Sequence, residues 1–399
     1  MENSLERPLL ARWPALADQV PWCGLGEFPS PLDSLSRLAP AAPGADGVFV
    51  KRDDICSQVY GGNKIRTLET LFGEALHLGA EEIWSTGFYG SNHATATVLH
   101  AGRVGLRAGS ILYPQTYSET AAANLRVTVA RGELMALPHW SLMPYGMLSC
   151  RRAGEKLGVR RFVMVPGGAT PVGALGYVSA ALELGIQLAE RGVDSLERIV
   201  LGVGSTCTTA GLLVGVHLAR RVGLFGGPAE RCPIVHAVRV TTWPVTSTWR
   251  IVRLAARTSE LLARLGVPRA LLPSAGQLRA VLVVDGSQLG AGYGKPTLAG
   301  ARAREQLGEW GEAALDTTYT EKSAAGLLAH LEACAERPVV YWATKSSVPL
   351  PEVSDGELAH APARVQRFLS TQTRRPRRAR PGPHGAPIGR QPRSSNLVI

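Results

Sequence analysis

Short apolar runs with β-strand character alternate with segments of helical periodicity along most of this 399-residue chain. Residues 83–87 form one such run, which enters a glycine turn and leads into a helical segment at 92–100. Residues 199–203 and 210–221 repeat the pattern in the second half. Because this alternation packs as parallel strands joined by right-handed helical crossovers, it predicts an α/β protein with largely parallel sheets.

The same periodicity predicts the remaining elements. Strands are expected at 48–50, 106–112, 161–165, 234–240, 281–285 and 339–342, and helices at 65–78, 121–131, 173–191, 247–265, 298–308 and 323–336. In open α/β sheets, ligands bind at the carboxyl ends of strands, where loops lead into helices. Functional residues are therefore expected in such loops.

The positive charge of the chain is concentrated at its C-terminal end. The formal net charge is +11, but residues 364–399 contain nine Arg, no Lys and no acidic residue, so the rest of the chain is nearly neutral. Residues 366–399 are predicted to be a disordered tail because Arg, Pro and Gly dominate them. Nucleic-acid contact through this tail is one hypothesis, since clustered Arg neutralises phosphates. A solvated end without a partner is the commoner case.

Several features indicate a soluble, cytoplasmic protein. The six cysteines are scattered without a CxxC pair, which favours reduced thiols over a disulfide framework or a zinc site. The first residues lack the basic start and apolar core of a signal peptide. The uncharged run at 199–219 is long enough to span a membrane, but its polar stretch at 204–209 predicts a strand, a loop and a helix instead. No membrane contact and no metal site are expected.

Lys64 ends the segment Gly61-Gly62-Asn63-Lys64, which leads from a glycine turn into an apolar helix. The chain has only six lysines among its 43 basic residues, and this one is expected to be partly desolvated. Burial lowers the pKa of an amine and makes it a better nucleophile toward an aldehyde. The alternative is an ordinary solvated lysine in the first turn of a helix.

A second loop, at 204–211, lies between a predicted strand and a predicted helix. Hydroxyl groups and the backbone N–H groups of a helix N-terminus make such a loop a good phosphate site. It is not a Walker loop, because no Gly-Lys-Ser/Thr follows. The alternative is an ordinary capped helix start. Its candidate residues are Ser205, Thr206, Cys207, Thr208 and Thr209.

A third loop carries Ser91, Asn92 and His93 at the start of another predicted helix. Short polar side chains in this place can bind an anion or hold a ring oxygen, although simple helix capping is more common. A Ser-His-Asp hydrolase is disfavoured because no Gly-x-Ser-x-Gly elbow surrounds Ser91. His93 is expected to act as a local hydrogen-bonding residue.

The order and local sequence of these motifs resemble the fold-type II pyridoxal-phosphate (PLP) enzymes. The resemblance is greatest to the D-cysteine desulfhydrase and 1-aminocyclopropane-1-carboxylate (ACC) deaminase group, and it covers roughly residues 29–349. It rests on the segment ending at Lys64 with Arg66 after it, on the Ser-Asn-His motif, and on the glycine-rich stretches 166–168 and 173–177. The resemblance implies two α/β domains with PLP between them. Residues 61–170 would form the small domain, and 1–60 with 171–365 the lead-in and the large domain.

The resemblance also implies a role for each motif. Lys64 would form the Schiff base with PLP, and the loop Ser205 to Thr209 would hold the phosphate. Asn92 would hold the ring hydroxyl. Ser91 would face the substrate carboxylate or the reacting atoms.

Further resemblance assigns residues near the C-terminal part of the chain. Tyr293 and Tyr319 match the two tyrosine segments that line the substrate pocket, where a phenol can move a proton. The alternative for each is a core aromatic residue with its hydroxyl satisfied. Thr344 would face the pyridine nitrogen. Glu321 is a rival for that place, but it is offset by one position from the family pattern.

Two departures from the family pattern concern the phosphate and substrate sites. The family loop carries glycine at its middle positions, whereas this chain has Thr206 and Cys207, which a left-handed backbone would strain. The sequence after His93, residues 94–96, lacks the usual Gln. A weaker grip on the phosphate is therefore expected, and the substrate does not transfer from the family.

The resemblance predicts a homodimeric PLP-dependent lyase or deaminase. It would act on a small amino acid and give a 2-oxo acid and ammonia. The alternative is a PLP-fold protein whose changed phosphate loop binds a ligand without catalysis.

Overall fold

A computed structural model describes residues 7–334 and 338–371 of the chain. Within these ranges the chain forms two sheets of mostly parallel strands flanked by helices, which confirms the predicted α/β class. The strands are β1 (Leu32–Ser34), β2 (Val48–Lys51), β3 (Glu82–Phe88), β4 (Arg107–Tyr113), β5 (Glu133–Ala136), β6 (Arg161–Val163), β7 (Arg198–Val203), β8 (Ile234–Arg239), β9 (Leu282–Asp285) and β10 (Val339–Trp342).

The larger sheet has the strand order β1-β2-β10-β7-β8-β9. β1 pairs antiparallel with β2, and the other neighbouring pairs are parallel. Strands from the start, the middle and the end of the chain therefore share one sheet. This order places the carboxyl end of β10 between those of β2 and β7.

The smaller sheet has the order β5-β4-β3-β6, and all its strands are parallel. It is formed by one continuous stretch, residues 82–163, inserted between β2 and β7 of the larger sheet. The carboxyl end of β3 leads into the helix that carries the Ser-Asn-His motif.

Helices cover both sheets and separate the strands along the chain. They are α1 (Pro8–Arg12), α2 (Leu35–Leu38), α3 (Lys64–His77), α4 (Asn92–His100), α5 (Glu119–Arg131), α6 (Met143–Leu157), α7 (Pro171–Ala189), α8 (Cys207–Arg221), α9 (Thr248–Arg264), α10 (Ala275–Ala280), α11 (Leu298–Gln306), α12 (Gly308–Ala314), α13 (Thr320–Ala333) and α14 (Ala363–Leu369).

Helix α7 packs against α8 in the main hydrophobic core. By length and composition alone α7 is apolar enough to cross a membrane, but 83% of that window is buried inside the structure. This is the pattern of a core helix. The uncharged run at 199–219 forms most of β7 and α8, as the polar stretch within it predicted.

Two elements of the smaller sheet's domain carry no clear sequence signal. β5 has only four residues, none of them buried, and lies at a sheet edge. The buried residues of α6 are Gly146, Cys150 and Gly154, spaced four apart. Because a helix face of small residues shows little hydrophobic periodicity, the sequence rules did not predict it.

The first residues of the predicted C-terminal tail belong to a helix. α14 crosses position 366, and its residue Val365 is fully buried in a cluster with Tyr89. Ordered structure therefore extends beyond the predicted boundary. The rest of the tail, 372–399, and the last residues of the helix predicted at 323–336 lie outside the described residues.

Candidate active site

The turn before α3 brings the start of this helix against the end of β10. Gly62 has φ +91, and a Cβ atom there would lie 2.8 Å from the Thr344 carbonyl oxygen. The same carbonyl accepts a hydrogen bond from the Asn63 backbone N–H at 2.9 Å. A side chain at position 62 would therefore be strained and would also collide with the backbone. The glycine turn thus places Lys64 at the carboxyl edge of the larger sheet.

The Lys64 amine points toward the loop after β7. Its Nζ atom donates to Ser205 Oγ at 3.3 Å. Burial lowers the pKa of Lys64, and the nearby Cys207 opposes that effect only in part. Among the described residues, no carboxylate lies within ion-pair distance of the Lys64 amine. An amine in such surroundings favours its neutral, nucleophilic form.

The loop after β7 forms the N-terminal end of α8. The backbone N–H groups in the first turn of a helix have no acceptor within the helix, and the helix dipole favours an anion there. Thr208 Oγ1 accepts a hydrogen bond from Asn63 Nδ2 at 3.0 Å, which links the loop to the turn of Lys64. The Thr209 hydroxyl is buried and has no partner among the described residues. These features suit a phosphate group.

Thr206 and Cys207 behave differently within this loop. Thr206 has φ +77, in the left-handed region that favours glycine, so the strain expected from the missing glycine is present. The buried Cys207 thiol donates to the Gly168 carbonyl at 3.3 Å, and burial raises its pKa to about 11. Its side chain therefore faces the interior, and only its backbone is available to a ligand of the loop.

The glycines at 167 and 168 allow this loop to approach. A Cβ atom on Gly167 would lie 2.3 Å from Ser205 Oγ, and one on Gly168 would lie 2.7 Å from a Thr67 methyl. Both residues have positive φ. The glycine-rich segment at 166–168 is thus required by the close packing beside Lys64.

Asn92 is held in a fixed orientation at the start of α4. Its Oδ1 accepts hydrogen bonds from the Tyr60 hydroxyl at 3.1 Å and from Asn124 Nδ2 at 2.7 Å. Because the oxygen is occupied, the Nδ2 group is the part of the amide left to donate to a ligand. Ser91 is the N-cap of α4, and its Oγ accepts from the Ala94 N–H at 3.3 Å.

His93 does not form the hydrogen bond that was expected of it. Both its ring nitrogens are buried without a hydrogen-bond partner among the described residues. Burial, with the positive charge of Lys64, lowers the pKa of His93 to about 3. The imidazole is therefore neutral and lies close to Lys64.

Tyr293 and Tyr319 form a direct pair. Their hydroxyl oxygens are 2.6 Å apart, and the Tyr293 ring stacks on Phe88 of the smaller sheet at 4.9 Å between centroids. A Cβ atom on Gly204 would lie 3.2 Å from the Tyr319 ring, so this pair adjoins the loop after β7. Burial raises the pKa of both phenols, and each keeps its proton at neutral pH.

Glu321 and Thr344 were the two candidates to face the pyridine nitrogen, and they lie in different surroundings. Glu321 forms an ion pair with Arg304 of α11 at 3.1 Å and packs near Gly300. Thr344 lies two residues after the end of β10 and contacts the turn of Lys64 through its backbone. Of the two candidates, Thr344 is therefore the one beside the other site residues.

Three residues that organise the site were not identified from the sequence. Tyr60 and Asn124 orient Asn92 from distant parts of the chain, and no local sequence pattern predicts these contacts. The carboxylate of Asp316 accepts the backbone N–H groups of Tyr319 and Thr320 at the start of α13. Asp316 lies three residues before the N-cap Tyr319, outside the capping position that sequence patterns identify, so this contact had no clear signal.

Together these residues fit PLP. The cofactor needs an amine for its aldehyde, an anion site for its phosphate and a donor for its ring hydroxyl. Lys64, the N-terminal end of α8 and the Asn92 amide nitrogen supply these groups on three neighbouring loops. The unpartnered Thr209 hydroxyl agrees with this fit, since a buried hydroxyl normally has a hydrogen-bond partner.

Comparison with known proteins points the same way. Residues 24–344 match the family described as pyridoxal-phosphate dependent enzyme. The matched range contains every predicted site residue, from Lys64 to Thr344.

Individual relatives match over most of their length. Nocardicin C-9' epimerase of Nocardia uniformis subsp. tsuyamanensis is 33% identical over 333 residues, which cover 82% of this chain and 92% of that protein. A D-cysteine desulfhydrase of Salmonella paratyphi C is 32% identical over 313 residues, or 75% of this chain and 85% of that protein. The crystal structure of an ACC deaminase homologue matches with a TM-score of 0.66 and 27% identity, covering 83% and 93%. These matches confirm the fold and the group that the motifs indicated.

Proposed function

This chain belongs to the family of pyridoxal-phosphate-dependent enzymes, with PLP as its cofactor, and we propose that it is a lyase or deaminase that converts a small amino acid into a 2-oxo acid and ammonia. The observation that carries the proposal is the Lys64 amine, which is desolvated, has no carboxylate partner among the described residues and lies beside a helix N-terminus. The D-cysteine desulfhydrase relative supports the same class of reaction.

Four parts of the site would hold the cofactor. Lys64 would carry its aldehyde, and the backbone of the loop 205–209 would bind its phosphate. The Asn92 amide nitrogen would donate to the ring hydroxyl, and the Thr344 hydroxyl would face the pyridine nitrogen. When bound, PLP supplies an electron sink that acidifies the Cα–H bond of an amino acid. A neutral hydroxyl partner leaves the ring nitrogen less protonated than a carboxylate would.

Lys64 has the second task of moving the Cα proton. Its Nζ atom would accept this proton from the substrate. Burial lowers the pKa of Lys64, which favours the unprotonated amine that can accept a proton. Ser91 and the first N–H groups of α4 would orient the substrate carboxylate, because a helix N-terminus favours an anion.

The tyrosine pair would act at the leaving group. The two phenols share a hydrogen bond of 2.6 Å, and their raised pKa values keep both protonated near neutral pH. Such a pair donates one proton while the second hydroxyl stabilises the phenolate that forms. A departing β-substituent or an opening ring would take its proton from Tyr293 or Tyr319.

Ligand binding without catalysis is the second candidate function. It is favoured by the strained Thr206 in place of a glycine. The helix that follows Thr206 begins normally at Cys207, which supports phosphate binding by its N-terminus. We therefore favour the catalytic proposal.

The first test is the visible absorption spectrum of the purified protein with added PLP, before and after borohydride reduction. We expect a visible absorption band that borohydride reduction removes, with the cofactor then attached covalently to the peptide containing Lys64. A screen of small D- and L-amino acids should then release a 2-oxo acid and ammonia. Chiral analysis of the remaining substrate checks for epimerisation, the reaction for which the Nocardia relative is named.

The outcomes separate the two candidates. No covalent label at Lys64 would contradict the assignment of this lysine. A label without turnover on any amino acid would favour ligand binding alone.

We also propose that the enzyme is a cytoplasmic homodimer. Buried free thiols at Cys56, Cys150 and Cys207 agree with a reducing compartment. The exposed Trp243 and Trp249 are apolar surface that a second copy would cover. Light scattering of the purified protein tests the dimer.

Truncation after Ser370 tests nucleic-acid binding by the tail. If the truncated protein binds nucleic acid with the same salt dependence, the hypothesis of contact through the tail is wrong.

A further inference from the structure

Lys345 is a second amine at the edge of the candidate site. It follows Thr344 at the carboxyl end of β10, where its backbone packs against the Gly62 turn. Its amine lies 5.2 Å from the centroid of the Tyr60 ring. Since the hydroxyl of this ring is bonded to Asn92, Lys345 lies between the turn of Lys64 and the start of α4.

The polar contacts of Lys345 leave its charge uncompensated. Its Nζ donates to the Ser346 carbonyl at 3.0 Å, and no carboxylate among the described residues forms an ion pair with it. The carboxylate of Asp316 acts on it only at longer range and is already bonded to three backbone N–H groups. Burial lowers the pKa of Lys345, as expected for an amine without a counter-ion.

Two other lysines that are at least partly buried show which contacts Lys345 lacks. Lys51 is paired with Glu183, and Lys322 donates to two carbonyls, those of Leu289 and Gly292, at 2.8 Å each. Lys345 has one carbonyl and the face of a tyrosine. A cation on an aromatic face at a ligand site is suited to receive an anion, because buried charges are normally paired.

The α-carboxylate of an amino acid already has a place elsewhere. Ser91 and the first turn of α4 offer it a hydroxyl and a helix N-terminus. A substrate with one carboxylate would therefore leave the Lys345 amine at the end of β10 without an anion. A substrate with two carboxylates would supply one to each place.

We propose that Lys345 binds the side-chain carboxylate of the substrate, so that the enzyme prefers amino dicarboxylic acids of the size of aspartate or glutamate. This inference rests on the function proposed above for the same site, and it names the substrate class. Lys345 would act as a specificity residue, whereas Lys64 carries the chemistry.

The experiment compares the PLP-loaded wild type with Lys345→Met and with Lys156→Met, an exposed lysine on α6 that serves as the charge-matched control. Dissociation constants are measured from the change in the cofactor spectrum and from the ligand-induced shift in melting temperature. The probes are D- and L-aspartate and D- and L-glutamate, with alanine and serine as monocarboxylate references.

We expect the wild type to bind a dicarboxylate at least about 10-fold more tightly than alanine, since a charge-assisted contact contributes roughly this much. Lys345→Met should weaken aspartate or glutamate by about 30-fold and alanine by less than about 2-fold. Lys345→Arg should restore part of the preference because it keeps the charge. Lys156→Met should behave like the wild type.

Three results would overturn the inference. In the first, the wild type shows no preference for dicarboxylates. In the second, Lys345→Met weakens alanine and aspartate equally, which would mean that it contacts the α-carboxylate or the scaffold. In the third, Lys345→Met changes the affinity for PLP without substrate, which would place its charge on the cofactor. Borohydride labelling of Lys64 in the wild type tests the proposed function separately. Absence of that label would refute the proposed function, whereas a label at Lys64 without a preference for dicarboxylates would refute only the specificity.

Discussion

Lys51, which is buried, and Lys64, which is half-buried, lie 13 positions apart and have opposite surroundings. Burial lowers the pKa of both Lys51 and Lys64. Lys51 is paired with Glu183 and also donates to Gln187 Oε1 at 2.7 Å and to the Ser30 carbonyl at 2.6 Å. Within the part of the chain that the structure describes, Lys64 has a single hydrogen-bond partner, Ser205 Oγ. The charge of Lys51 is thus compensated by its neighbours, whereas the surroundings of Lys64 suit the reactive role proposed for it.

The region around Lys51 also supports the reactive lysine. Arg66, two residues after Lys64 on α3, forms ion pairs with Asp53 at 2.9 Å and with Glu183 at 2.8 Å. Asp53 also accepts hydrogen bonds from the Tyr177 hydroxyl and from Trp342 Nε1, each at 2.7 Å. This paired network lies beneath the start of α3 and holds the helix against the larger sheet. The Lys64 amine, which has no counter-ion, is therefore positioned by a network in which every charge is paired.

The largest effect is expected from Lys64→Ala. Turnover should fall by more than about 10³-fold, because both the covalent attachment and the proton transfer depend on this amine. The protein should stay folded, with an unchanged or higher melting temperature, since an uncompensated buried amine is removed. Mass spectrometry after borohydride treatment and thermal unfolding measure the two effects. A variant that still becomes covalently labelled would show that another lysine holds PLP.

Lys51→Met tests the opposite region. Removing one partner of a buried ion pair leaves an uncompensated charge and costs about 3 kcal/mol. We expect the free energy of unfolding in urea to fall by this amount, while PLP is still fixed at Lys64 in the folded protein. Lys156→Met, on the exposed side of α6, is the control and should change stability little. An equal loss in both variants would mean that the buried network does not determine stability.

The two regions were not equally open to prediction from the sequence. The three loops with Lys64, Ser91 and Ser205 could be found because they follow strands and carry unusual residues in a local pattern. The network could not, since the contact between Arg66 and Glu183 joins residues 117 positions apart.

The same limit applies to the orientation of site residues. Asn92 was predicted, but its fixed amide depends on Tyr60 and Asn124, each 32 residues away. His93 was expected to form a hydrogen bond and instead is buried without one among the described residues. Local pattern thus indicates the residues of the candidate site, and tertiary packing decides what their polar atoms contact.

Acid should destabilise the two regions in different pH ranges. The pKa of His93 is about 3 in the folded protein and 6.5 in the unfolded chain, so only the unfolded chain gains a proton between these values and stability falls as pH decreases through them. Burial alone would raise the pKa of Asp53, but Arg66 and Lys51 hold it at about 2, so its contribution is lost only as pH falls from 3.8 to 2.

The variant His93→Gln separates these ranges. It should flatten the decrease in stability between pH 6.5 and 4 by up to about 1.4 kcal/mol per pH unit, the value for one proton. Urea unfolding across this range measures the slope. The buried residues His100 and His217, whose pKa values are both lowered to about 4, should keep part of the slope in the variant. A variant with the wild-type slope would show that His93 does not titrate on unfolding.

The smallest effect is expected at Thr206, in the loop after β7 beside Lys64, where the backbone is strained. A threonine at φ +77 costs about 1 kcal/mol relative to a residue that tolerates the left-handed region. Thr206→Gly should remove this cost and tighten PLP binding by about 3-fold, if the strain is greatest in the bound loop. Thr206→Ala removes the hydroxyl but keeps the left-handed strain, so it separates the two causes. A loss of PLP affinity in both variants would show that the Thr206 hydroxyl itself binds the phosphate. The contact of this hydroxyl would then offset the cost of the left-handed backbone at Thr206.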